Sequence, residues 1–101
     1  MTVKIYLAGP GVFHPESINY GKKLKKCCED NGCIGLYPFD NVATTYLEIK
    51  EKNEQKIRSS DVLIADVRPF RGTVEPDSGT IYEIGFASAL GIPVVLYSRN
   101  S

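Results

Sequence analysis

Two carboxylates carry the chemistry most visible in this chain. Asp77 stands six positions ahead of Glu83 in the segment Asp77-Ser78-Gly79-Thr80-Ile81-Tyr82-Glu83-Ile84-Gly85-Phe86-Ala87. In a helix, Gly79, Glu83 and Ala87 fall at i, i+4 and i+8 and share one face. Close packing on a sheet accounts for the two small residues. It does not account for a carboxylate between them, which is costly to bury without partners or a task. From the helix alone, Glu83 is either a functional carboxylate or a solvated one. Asp77 reads as the N-cap, and a capping carboxylate can also face a ligand, because a helix N-terminus favours negative charge. Such a pair suits cleavage of an N-glycosidic bond, which builds positive charge on the sugar. An anionic glutamate stabilises that charge or attacks the anomeric carbon. A second carboxyl can supply a proton or hydrogen bond to the leaving base. Neighbouring carboxylates also raise each other's pKa, so one can stay protonated near neutrality.

A second group of candidates follows the first strand, in Tyr6-Leu7-Ala8-Gly9-Pro10-Gly11-Val12-Phe13. The glycines would let a ligand approach the backbone closely. As a phosphate cradle the pattern is weak, since no third glycine completes it and no Lys-Ser/Thr follows. Phe13 could stack on a base or pack in the core. Tyr6 could lend its hydroxyl to a carboxylate or simply pack. His14, the single histidine, precedes Pro15 and reads as an exposed turn residue. Cys27, Cys28 and Cys33 are odd in number, lack a CxxC and lack metal-ligand spacing. They read as small side chains packing in or near a helix.

The elements that must position these groups alternate regularly. Residues 3–8 are rich in strand formers and stop at Gly9-Pro10-Gly11. Residues 16–31 read as a helix with an apolar stripe of Ile18, Tyr20, Leu24, Cys27 and Cys28, ended by Asn31-Gly32. A short strand covers 33–37. Asp40-Asn41 can cap the next helix, 47–59, whose Ile49 and Ile57 face inward. Asp61 to Asp66 is a continuous apolar run of the kind buried on both faces of a central parallel strand. Residues 68–76 are a loop, 78–90 a helix, and 93–97 a last strand entered by Pro93. Strands alternating with helices predict an α/β fold: a three-layer, flavodoxin- or Rossmann-like parallel sheet of about four strands with helices on both faces. Ligands of such sheets sit at the carboxyl ends of the strands, at loops 8–15, 37–46 and 66–78 here.

The chain has 101 residues, enough for one compact domain. Twelve Lys and Arg balance twelve Asp and Glu. Proteins that live on phosphate-backbone contacts usually show a basic excess, so nucleic acid is not an expected partner. No apolar run reaches the ~18–20 residues of a membrane span. The N-terminus lacks the build of a signal peptide, so the expected setting is cytoplasmic.

Taken together, these residues resemble the nucleoside 2-deoxyribosyltransferase family. The resemblance runs through Ile5-Tyr6-Leu7-Ala8-Gly9-Pro10 with Phe13, Asp40-Asn41, and Asn53 ahead of Ser60-Asp61. Its strongest part is Ile64-Ala65-Asp66, Pro69-Phe70-Arg71-Gly72, and Glu75-Pro76-Asp77-Ser78-Gly79-Thr80 with Glu83-Ile84-Gly85. The Pro-Phe-Arg-Gly loop is most similar to purine-preferring members. The resemblance implies ping-pong transfer of a deoxyribosyl group between nucleobases, with retention. Glu83 would be the nucleophile holding the sugar covalently. Asp77 would protonate or orient the base, and Tyr6 would position the glutamate. Gly9, Phe13, Asp40 and Gly79 would line the substrate site. Asn53 falls where some relatives have an aspartate that binds base or sugar. No cofactor and no metal are implied; the partners are a deoxynucleoside and a free base.

Family members continue beyond the position of Ser101 with a fifth strand and a terminal helix that reach a neighbouring subunit's site. The expectation is therefore one domain over 1–101 without those elements. It has an open sheet edge that a homo-oligomer would cover. Two other readings compete. One is a 2′-deoxynucleoside 5′-monophosphate N-glycosidase of the same fold, which needs a phosphate site. The other is a receiver-like signalling module, suggested by the cadence of Asp61 to Pro69 with Asp66 at the strand end. That module needs an acidic pair after the first strand and a lysine after the last. Ala8-Gly9-Pro10 and Arg99 stand there instead.

Overall fold

A computed structural model of the chain describes residues 2–9, 17–38, 45–68 and 76–98. The elements run β1 (Val3–Ala8), α1 (Ser17–Asp30), β2 (Cys33–Leu36), α2 (Tyr46–Arg58), β3 (Val62–Asp66), α3 (Ser78–Ala89) and β4 (Val94–Tyr97). The four strands form one sheet in the order β2-β1-β3-β4, every pair parallel. The apolar run in β3 sits centrally, as expected of a strand covered on both faces.

The order explains how the helices divide between the faces. The chain steps one way from β1 to β2, then the other way to β3 and β4. Right-handed crossovers put α1 on one face and α2 and α3 on the other. Side chains agree. A Cβ at Gly35 would meet Cys28 Sγ, Leu7 Cδ1 and the Lys25 backbone, so Leu7 and β2 look toward α1. On the opposite face Tyr6, Ala8, Leu63 and Ala65 form one buried cluster with Ile57 of α2 and Ala87 of α3. Register puts Tyr6 beside Leu63 and Ala8 beside Ala65. The bulky pair therefore lies deep in the sheet and the small pair at its carboxyl edge.

The local stops follow the expected chemistry, with some corrections. Gly32 and Gly91 take positive φ (76° and 77°) after α1 and α3. The cap of α2 is Thr45, whose side chain accepts from the Glu48 amide at 3.1 Å, not Asp40-Asn41. Thr-x-x-Glu is the capping-box spacing and was legible in the sequence. Asp40 and Asn41 lie outside the described residues. The α1 stripe is narrower than its sequence pattern: Leu24 and Cys28 are half-buried but Cys27 is exposed. Burial pushes the Cys28 thiol up, with Cys27 and Cys33 adding to the effect. That is the behaviour of a packing residue rather than a reactive one.

Helices α2 and α3 are clamped to each other on their outer side. Tyr82 Oη donates to Glu54 Oε2, and Lys50 Nζ lies 3.2 Å from the same oxygen. The Lys50 ammonium stands over the Tyr82 ring and the Arg58 guanidinium over the Phe86 ring. Glu54 and Tyr82 are the sequence neighbours of Asn53 and Glu83, so the clamp fixes the helix pair at that level. No helix among the described residues is long and apolar enough to cross a membrane.

Ile57 is fully buried at the junction of α2, α3 and the sheet. Ile57→Ala should cost about 2–5 kcal/mol of stability through lost burial and the cavity left behind. Urea unfolding followed by circular dichroism measures it.

Candidate active site at the carboxyl edge of β1 and β3

In the strand order β2-β1-β3-β4, successive crossovers diverge between β1 and β3, which opens a crevice above their carboxyl ends. Tyr6 is in β1, below this edge, and is fully buried. Its hydroxyl donates to Glu83 Oε2 at 2.7 Å. Strand alternation directs Tyr6 toward α3, and the helical period turns Glu83 back toward the sheet. The bond thus spans 77 positions of sequence to join the central strand to the third helix.

Burial raises the Glu83 carboxyl to a pKa of about 7. The Tyr6 hydrogen bond opposes that rise and the nearby Asp77 charge adds to it. Near neutrality the group is therefore divided between acid and anion. The anion is a competent nucleophile or electrostatic stabiliser for a cationic sugar, held in place by Tyr6.

Asp77 is the N-cap of α3, with φ −56° and ψ 136°. Its Oδ2 accepts from the Thr80 amide at 3.0 Å and from Thr80 Oγ1 at 3.3 Å. Capping and site roles are thus compatible: one oxygen ends the helix, and Oδ1 has no partner among the described residues. Gly79 corrects the sequence reading. It is exposed and does not pack on the sheet as Ala87 does. A Cβ there would come within 3.1 Å of Asp77 Oδ2, so the missing side chain makes room for the capping carboxylate.

Gly9 follows β1 with φ 153°, and a Cβ on it would lie 2.8 Å from Asp66 Cβ. Glycine is needed there because the β1 and β3 edges touch. Asp66, 2% exposed, holds the start of the next loop. Its Oδ1 accepts from the Arg68 amide at 3.1 Å, and Oδ2 lies 2.9 Å from Arg68 Nε, off the direction of that N–H. A phosphoacceptor aspartate must offer its carboxylate to solvent, and Asp66 does not. Sequence reasoning left out Arg68 and Thr80. The Asp-x-x-Thr spacing after a loop was the available signal for Thr80; the Arg68 pair had none.

Asn53 lies on the inward line of α2 with Ile49 and Ile57. Its Oδ1 is buried without a hydrogen-bond partner among the described residues, a state that costs about 1–3 kcal/mol. Lys56, one turn on, donates from Nζ to the Tyr37 carbonyl at 2.7 Å and ties down the chain leaving β2. Phe13 and Asp40 lie outside the described residues, as do His14 and residues 69–75.

The raised Glu83 carboxyl predicts a pH dependence of stability. The folded protein binds this proton more tightly than the unfolded chain does. Stability therefore falls as pH rises from about 4.5 through about 7. Glu83→Gln removes that term. Its melting temperature should exceed the wild type's at about pH 8 and approach it at about pH 5, the difference amounting to at most about 3 kcal/mol. Calorimetry of both proteins across this range checks it.

The chain is similar in sequence and in structure to known proteins. A family model described as nucleoside 2-deoxyribosyltransferase matches residues 5–101. An uncharacterised protein of Schizosaccharomyces pombe is 35% identical over 95% of this chain, which spans half of that protein. A 2-deoxyribosyltransferase from Leishmania mexicana superposes with a TM-score of 0.88 at 40% identity, over 98% of this chain and 66% of its own. A conserved protein from Enterococcus faecalis gives a TM-score of 0.74 at 28% identity, over 95% of this chain and 63% of its own. A 2-deoxyribosyltransferase from Bacillus psychrosaccharolyticus gives 0.72 at 25% identity, over 95% of this chain and 72% of its own. With the parallel β2-β1-β3-β4 sheet beneath them, the match over 5–101 leads to one conclusion: this chain belongs to the nucleoside 2-deoxyribosyltransferase family.

Proposed function

We propose that the protein transfers a 2-deoxyribosyl group from a deoxynucleoside to a second nucleobase, purines favoured, through a covalent deoxyribosyl-Glu83 intermediate. The observation that carries this reading is the 2.7 Å bond from Tyr6 Oη to Glu83 Oε2, one turn and a half from the Asp77 cap. The activity named for the relatives from L. mexicana and B. psychrosaccharolyticus supports it.

In the first half-reaction a Glu83 oxygen attacks C1′ and the C1′–N bond breaks. The base leaves with the bonding pair and takes a proton at nitrogen, with Asp77 Oδ1 as the group that orients or protonates it. Tyr6 holds the glutamate for attack and keeps a donor on its second oxygen. In the second half-reaction a nitrogen of the incoming base attacks C1′, the ester C–O bond breaks, and the base loses its proton. Two inversions give retention. A 2′-deoxy sugar suits this chemistry because no electron-withdrawing 2′-hydroxyl opposes the developing charge. Gly9 and Gly79 contribute to the substrate site, and the family resemblance assigns Phe13 and Asp40 to it as well. Asn53 Oδ1 accepts from an N–H or O–H of the substrate, which relieves its buried, unpartnered state. Purine preference rests on the Pro69-Phe70-Arg71-Gly72 resemblance. Cytoplasmic purine salvage is the setting the reaction fits. A homo-oligomer is the expected assembly, with the exposed Val95 and Leu96 of edge strand β4 as candidate contact surface.

Incubation with deoxyinosine and adenine should yield deoxyadenosine, followed by chromatography. Deoxyribose without exchange would instead favour the 5′-monophosphate N-glycosidase or another hydrolase. Glu83→Ala should lower transfer at least about a thousandfold, as expected for loss of a nucleophile. Intact mass after a 2-fluoro-deoxynucleoside should show one sugar on the wild type and none on Glu83→Ala.

The anion is the attacking form, so kcat/KM should rise with pH through about 7. Tyr6→Phe removes the donor that lowers the Glu83 pKa, and should move that limb to higher pH while reducing the rate. An unchanged limb in Tyr6→Phe would count against Glu83 as its origin.

A further inference from the structure

The cap of α3 contains more hydrogen bonding than ending a helix requires. An aspartate N-cap ordinarily satisfies itself on one backbone N–H. Here Asp77 Oδ2 accepts two bonds from the same residue, the Thr80 amide at 3.0 Å and the Thr80 hydroxyl at 3.3 Å. Thr80 is 1% exposed and ranks with Tyr6, Ile57 and Leu63 among the largest fully buried side chains. A buried hydroxyl is unfavourable unless bonded, and valine would fill the same volume without that burden. The Thr80 hydroxyl finds its partner in the Asp77 carboxylate. On the other side Gly79 leaves that same oxygen its space.

We infer that Thr80 is a positioning residue that locks the Asp77 carboxylate by Oδ2 and so aims Oδ1 at the substrate base. This rests on the deoxyribosyl-transfer reading for Asp77's task, though not for the contact itself. The amide bond alone leaves the carboxylate free to swing about its Cβ–Cγ bond. A second donor from a rigid, buried, β-branched side chain removes that freedom. With Oδ2 held, Oδ1 is the oxygen left to meet a base, on the same helix as Glu83 and one and a half turns before it. Thr80 touches neither base nor sugar in this arrangement. Its effect passes through Asp77, so it should alter the chemical step more than substrate affinity.

The test combines two readouts on Thr80→Val, Thr80→Ser, Asp77→Ala and the Thr80→Val/Asp77→Ala double variant. The first is transfer between deoxyinosine and adenine. Thr80→Val should lower kcat about tenfold, the size of losing one hydrogen bond to a charged group, with KM changed less than about twofold. Thr80→Ser, which keeps the hydroxyl, should recover most of the rate. In the Asp77→Ala background, where no side-chain oxygen is left to accept, Thr80→Val should cost no further rate. Wild-type kcat in Thr80→Val, or an equal loss on the Asp77→Ala background, overturns the inference. The second readout is a thermal-unfolding cycle on the same four proteins. It should show the Thr80 and Asp77 losses to be non-additive, and additive losses also overturn the inference. If the wild type transfers nothing, the functional reading fails while the unfolding cycle still decides whether Thr80 holds Asp77. If Thr80→Val does not fold, Thr80→Ala replaces it in both cycles with the same expectations.

Discussion

A carboxylate kept out of water needs a donor, and the arrangement of this protein follows from supplying one to Glu83. The donor is a tyrosine hydroxyl on the central strand, itself fully buried. For the two to meet, β1 must lie inside the sheet, Tyr6 must face α3, and α3 must cross with its second turn over that strand. The right-handed β3-α3-β4 crossover satisfies the last requirement. Deep packing of Ile57, Leu63 and Ala87 around Tyr6 holds the ring where its hydroxyl can reach. Removing water raises the carboxyl to a pKa of about 7, and the Tyr6 donor keeps it from rising further. The site thus rests on a balance in which desolvation and the Asp77 charge are opposed by the Tyr6 hydrogen bond.

Around that bond, short polar contacts among the described residues hold the carboxyl edge of the sheet. Asp66 takes the Arg68 amide and lies against Gly9, so the loops leaving β1 and β3 start from one point. Lys56 takes the Tyr37 carbonyl at the end of β2. Thr80 takes the Asp77 carboxylate at the start of α3. Each contact orders the first residue or two of a segment that leads to the site. The core beneath supplies rigidity, and these contacts convert it into position. Catalytic geometry tolerates little looseness, and such supporting bonds are how a small domain limits it.

The clamp between α2 and α3 belongs to the same logic. Glu54 and Tyr82 are joined on the solvent side, one residue from Asn53 and Glu83. Exposed ion pairs and aromatic contacts of this kind add little to overall stability. Their value here lies in alignment, since a slide of one helix along the other would separate the two inward-facing residues. Asn53 brings a buried acceptor without a partner among the described residues. Such an unfavourable state is a reason to expect a substrate donor there.

Much of this was legible in the amino-acid sequence because it depends on local period and spacing. The four strands, three helices and their alternation followed from runs of residues such as 61–66 and 78–90, and alternation with right-handed crossovers left few sheet orders to consider. Glu83 and Asp77 were visible because a carboxylate on a small-residue helix face, six positions after a capping aspartate, has few bland explanations. The sequence could not determine whether Glu83 was buried or solvated. That depends on Tyr6, 77 positions away, and on desolvation that arises only when α3 closes on the sheet. Nor could it assign Gly79, whose small size suggested packing on the sheet and which instead makes room for the Asp77 carboxylate. Spacing along a chain determines which face a residue occupies; only tertiary structure decides what lies opposite that face, and with it the charge, partner and pKa of the group.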